Sequence, residues 1–293
     1  MSDGGPAVQP TAELMAFAGN GWAFRELVRA PARELVLATI LRALNNAQSA
    51  AVTIAAAAAP GPARMRARAV GRAAVMTPLY AAFLTGIAAG DDATLATPVV
   101  AAALAVGESV DAAGATVLDA IVAGSEIAVR VERALGTAHH ERGWDVRGTC
   151  GRLGAAVAAA RVLGLQRDAT RDAFGIAATA ASGLTAARGT MTAAYIVGAA
   201  AADGIEAALL ARAAFTGAPR ALEGRRGLAA LMSASFDTAA LLEGIGATFI
   251  YTTIAANVPS VPAAESLRAL VARFERLPSI REVIDVTIPS RTS

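Results

Sequence analysis

A chain of 293 residues with a formal charge of +2 is long enough for one large domain or two small ones around a substantial core. All 26 basic residues are arginine, so a Schiff-base lysine, a lysine general base and a P-loop lysine are excluded. The 24 acidic residues nearly balance them and no long arginine run occurs, which argues against a nucleic-acid partner.

Hydrophobic residues make up 55% of the chain and aromatics only 4%, so the core must be built from Ala, Val, Leu and Ile. Alanine is the strongest helix former, and the composition predicts a mostly α protein. Residues 1–12 read as a disordered tail; MSDGGPAVQP carries an acid and prolines without an apolar run, unlike a secretory signal. Residues 13–245 then read as a helical bundle, broken at Pro60-Gly61-Pro62, Thr77-Pro78, Gly90-Asp91, Thr97-Pro98 and Gly217-Ala218-Pro219. Arg64, Arg66, Arg68 and Arg72 suggest a solvated helix face, with a partner surface as the alternative. Apolar residues at three- and four-residue spacing predict helices over Gly114–Leu135, Gly151–Leu163, Thr170–Ser182 and Thr192–Phe215. Glu126 and Arg130, four apart, are expected to form a surface pair worth a few tenths of a kcal/mol.

Gly148, Gly151 and Gly154 recur at every third residue, which clears one face for a neighbouring backbone. A dinucleotide fingerprint needs other spacing and a preceding strand. From 246 to 293 the texture changes. ATFIYTTI (247–254) is β-branched and aromatic, Pro262–Arg276 is helix-like, and EVIDVTI (282–288) alternates, which predicts a small β-α-β unit. The charge-free run Gly244–Ala264 is interrupted by Asn257, Pro259 and Pro262 and does not read as a membrane span. The lone Cys150 excludes an intrachain disulfide and fits a reducing compartment, so a cytoplasmic protein with no membrane partner is expected.

Three longer stretches carry a family outline: AIVAGSEIAVRVERAL from Ala120, GTCGRLGAA from Gly148, and GAAAADGIEAALLARAAFTGAPRALEG from Gly198. Over Arg66–Leu228 the chain resembles the MmgE/PrpD family, which includes 2-methylcitrate dehydratase, cis-aconitate decarboxylase and iminodisuccinate epimerase. The resemblance implies a helical N-terminal domain, with residues 246–293 as a truncated second domain. It also implies cofactor-independent lyase or isomerase chemistry and a homodimer. Family members move a proton at carbon next to a carboxylate. They use an Asp-Asp-Thr turn with His-Pro, a histidine after Gly-Trp, a lysine beyond Gly-Thr-Met, and Lys-Tyr-Pro in the second domain. Here the counterparts are Asp91-Asp92 with Thr94, Thr97-Pro98, Asp145, Ala193, and Tyr251 between Ile250 and Thr252.

The chemistry implied is therefore altered. Alanine cannot hold a carboxylate, and an aspartate at the histidine position repels one by roughly 1–4 kcal/mol at about 4 Å. A small or medium metabolite, including one that is cyclised, is expected in place of a di- or tricarboxylate. Asp145, Asp91, His140, Tyr195 and Tyr251 are the catalytic candidates, and Arg147, Arg188, Thr97 and Met191 the substrate-binding ones. Each has a structural alternative. Asp145 could cap the following helix, Asp91 and Asp92 could stabilise a turn, the histidines could be a solvated pair, and either tyrosine could be core. Cys150 reads better as a small buried residue than as a nucleophile, and adjacent histidines without further ligands imply no metal. An inactive binding or dimer-partner subunit is the alternative function.

Overall fold

The computed structural model describes residues 9–19, 23–57, 65–90, 92–256, 258 and 264–288. The chain opens with α1 (Pro10–Gly19), so residues 10–12 of the expected tail are helical and Thr11 is buried. It continues through α2 (Glu26–Asn46), α3 (Ala50–Ala57), a two-residue antiparallel hairpin of β1 (Ala67–Arg68) and β2 (Val75–Met76), α4 (Pro78–Ala89) and α5 (Thr97–Ser109). Then follow α6 (Gly114–Leu135), α7 (Thr137–Glu141), α8 (Cys150–Val162), α9 (Arg167–Ala180) and α10 (Met191–Arg212). The short α11 (Leu228–Met232) and α12 (Thr238–Leu242) lead to α13 (Ala264–Val271) and α14 (Arg281–Thr287). The protein is mostly α, as the composition predicts.

The breakers act where they stand. Pro78 occupies the first turn of α4, and the Thr77 hydroxyl accepts the Tyr80 amide as its cap. Gly90 closes the same helix at φ 71°. The 60–62 break lies outside the described residues. The centre of the bundle is α8, packed between α6, α5 and α10, and the alanine-rich faces allow close approach. A Cβ on Gly148, Gly151 or Gly154 would stand 2.1, 2.8 or 2.5 Å from the carbonyl oxygen of Ser182, Leu95 or Gly124. The glycine series thus seats three different backbones. Gly154→Val is expected to cost about 1–3 kcal/mol through overpacking against α6, read as a lower urea midpoint.

By length and composition α10 could cross a membrane, but here Ala200, Ala201, Gly204 and Ala208 are buried against its neighbours. It is the core helix that the alanine composition calls for.

Three expectations are corrected. Residues 246–288 contain no β-α-β unit among the described residues. Ile250–Thr253 is a 3-10 turn and the predicted second strand is α14, whose Val283, Ile284 and Thr287 form one buried helical face. Phe274, Ile280 and Val283 share the hydrophobic core of the bundle. Glu126 and Arg130 form a fully buried pair at 2.6 Å, not a surface pair. Arg68 lies on a strand and pairs with Glu108 at 2.6 Å and Asp285 at 2.7 Å, so the arginine series marks no helix face; Arg64 lies outside the described residues.

Candidate active site

The segment after α7 folds as a tight turn against the loop that follows α9. The Asp145 amide donates to Gly183 O at 3.0 Å, the Thr185 amide to Gly143 O at 2.8 Å, and Trp144 and Leu184 form an antiparallel bridge. His139 holds this turn from beneath. It is buried, its Nε2 lies 2.9 Å from Thr149 Oγ1, its Nδ1 lies 3.2 Å from Met232 O, and its ring stacks on Trp144. Burial pushes its pKa down despite the Met232 carbonyl, and with both ring nitrogens engaged it is a structural residue.

This zipper brings Asp145, Arg147 and Arg188 to one cleft of about 540 Å³. Thr94 and Leu95 form its rim before α5, Val129 and Glu132 its wall at the end of α6, and Ala193, Thr253 and Ile254 the remainder. Asp145 is buried and doubly held by Arg147, whose Nε and Nη2 donate to its two oxygens at 2.9 and 2.6 Å; the Arg147 amide adds a third bond at 2.9 Å. Burial raises the Asp145 pKa, but the Arg147 hydrogen bonds and charge, with Arg188, outweigh it and leave the carboxyl below its ordinary range. Thr149, not Asp145, occupies the N-cap of α8.

Sequence reasoning missed Glu132. It is half-buried in the last turn of α6, and desolvation pushes its carboxyl up. Helix carbonyl ends carry negative partial charge, which disfavours a carboxylate there. An acidic residue at a helix C-terminus was the available signal.

Several candidates lie elsewhere. Tyr251 is fully buried. Its hydroxyl donates to Val28 O and its amide to Glu126, while burial and the Glu126 charge push its phenol pKa up. It is a core residue. Tyr195, 54% exposed, stacks edge-on against Phe83 and lines a separate cavity of about 490 Å³ with Arg152 and Ile196. His140 is exposed and outside the cleft, because one residue of helical rotation turns it away from its buried neighbour His139. Thr97 is buried, its hydroxyl accepting the Thr94 amide at 3.0 Å, so it supports the rim without lining the cleft. Met191 is exposed at the start of α10, away from the cleft lining. Asp91 lies outside the described residues. Cys150 is buried, and desolvation with the Glu132 charge pushes its thiol up to about 12, which leaves no thiolate for nucleophilic work.

The family model for the MmgE/PrpD N-terminal domain matches residues 23–240, from before α2 to within α12. The chain belongs to the MmgE/PrpD family. No curated protein matches it. The family match covers α2 to α11 and all of the cleft lining except Thr253 and Ile254.

Proposed function

We propose that this MmgE/PrpD protein is a lyase- or isomerase-type enzyme whose cleft takes a small or medium metabolite with one anionic group rather than a di- or tricarboxylate. The carrying observation is the charge arrangement of the cleft. Arg147 is matched by Asp145, Ala193 adds no charge, and among the described residues Arg188 makes no ion pair. One guanidinium facing a partly apolar cleft suits one carboxylate. A second carboxylate on the ligand would meet Asp145 or Glu132.

Equilibrium binding of aliphatic mono-, di- and tricarboxylates, followed by calorimetry, tests the reading. A monocarboxylate is expected to bind tightest, and Arg188→Ala to weaken it at least tenfold, since a charge-assisted hydrogen bond is worth about 1.5–3 kcal/mol. Tighter binding of a tricarboxylate would sink the assignment. The Asp145–Arg147 pairing and the buried Tyr251 favour one second reading, a binding subunit without turnover; it predicts the same affinities with no chemistry. Self-association as a homodimer is part of the proposal, supported by the exposed Leu184, Met191 and Tyr195 beside the second cavity.

A further inference from the structure

We propose that Glu132 is the acid–base group of this cleft, moving the proton at substrate carbon while Arg188 holds the substrate's carboxylate. The inference rests on the enzymatic reading above. It adds a residue outside the positions where the family resemblance places its reactive groups.

Placement comes first. Glu132 stands on the cleft wall one turn after Val129, on the helix that packs most extensively against α8. The charged groups that share the lining are Asp145, Arg147 and Arg188. Asp145 has both oxygens on the Arg147 guanidinium and can take a proton only by giving up that pair. Among the described residues no hydrogen bond or ion pair holds the Glu132 carboxyl, so its lone pairs are available to a ligand. Buried His139 has both ring nitrogens engaged beneath the turn.

Electrostatics agrees with the placement. The two carboxyls of one cleft are shifted in opposite directions, Glu132 up by burial and Asp145 down by Arg147 after burial is overcome. Such a split separates a group that exchanges protons from one that stays charged. A carboxyl raised toward the working pH is the more effective proton carrier.

The step balances without a co-reactant. The Glu132 carboxylate accepts a proton from a carbon next to a carbonyl. The C–H electron pair moves into the new C=C bond, and the carbonyl oxygen takes the negative charge. Return of the proton to the other face of that carbon completes an epimerisation; where the substrate already carries a C=C bond one carbon further on, return of the proton to the far end of that bond completes a double-bond shift. If the adjacent carbon carries a hydroxyl, the C–O pair leaves with oxygen, which takes the proton from Glu132 and departs as water.

The test uses the full chain and 4-oxopentanoate, a monocarboxylate whose ketone acidifies the neighbouring methylene. Binding is read by calorimetry and proton transfer by NMR as deuterium uptake from D₂O. The wild type is expected to bind the probe and to catalyse uptake. Glu132→Gln is expected to keep the affinity and the melting temperature while lowering uptake about 10²–10⁴-fold, the usual worth of a general base. Glu132→Asp is expected to restore part of the rate. Binding without uptake, or uptake that survives in Glu132→Gln, overturns the role of Glu132 and leaves the binding cleft standing. No Arg188-dependent binding overturns both this inference and the proposed function.

Discussion

Glu126→Ala is expected to remove about 3–5 kcal/mol of folding stability, because it strands a buried charge. Glu126 and Arg130 are both fully buried on α6. Arg130 donates to Leu241 O at 3.0 Å, Glu243 O at 2.9 Å and Thr248 O at 2.8 Å, while Glu126 accepts the amides of Ile250 and Tyr251 at 3.2 and 2.9 Å. Buried ion pairs can often be replaced by apolar residues without loss. Here that substitution fails, because three carbonyls and two amides of the 241–251 segment take their hydrogen bonds from this pair. Each buried orphan costs about 1–3 kcal/mol. The double variant Glu126→Leu/Arg130→Leu should therefore be no more stable than Glu126→Ala in urea unfolding. Hydrogen exchange should show the Ile250 and Tyr251 amides losing protection in both. Wild-type stability in the double variant would contradict this account.

The same pair explains why the chain after Gly246 departs from the strand expectation. ATFIYTTI has the β-branched density of a strand, but a strand needs a partner, and the Glu126 carboxylate captures its amides instead. EVIDVTI is short enough to fit both periods. Burial of Val283, Ile284 and Thr287 selects the helical one. Longer segments leave no such ambiguity: the periodicity over Gly114–Leu135 coincides with α6 from end to end. The glycines were legible for a related reason, since a missing side chain is itself the packing signal.

The candidate site was legible where residues flank two short loops that pair with each other. Asp145, Arg147 and Arg188 share a cleft because the 143–145 and 183–185 segments hydrogen-bond directly. Motif position said nothing about the direction of a side chain, so His140, Tyr195, Tyr251, Thr97 and Met191 were placed with them although they point elsewhere. Glu126 and Glu132 illustrate the limit. They lie on one helix in the same motif, yet six residues of rotation put one in the core and the other on the cleft.

Arg147→Ala should be nearly as costly at neutral pH, about 3–5 kcal/mol and toward the lower value because the cleft admits water to Asp145. Its pH dependence identifies the cause. In the wild type the Asp145 pKa is lowered in the folded state, so the pair's stabilisation is full above the ordinary 3.8 and is lost as pH falls through the folded value. In the variant, burial is opposed only by Arg188 and the backbone amide, and the carboxyl moves up. The stability gap between the two proteins should then be widest near pH 7 and narrow below about pH 4. A gap independent of pH would mean that Arg147 acts by packing its stem rather than by charge. The variant also tests the cleft. Freeing the Asp145 oxygens presents an unpaired carboxylate to the ligand, and at about 4 Å that repulsion is roughly 1–4 kcal/mol. Monocarboxylate binding in Arg147→Ala should weaken on raising the pH through the Asp145 titration, and Asp145→Asn in the same background should abolish that dependence.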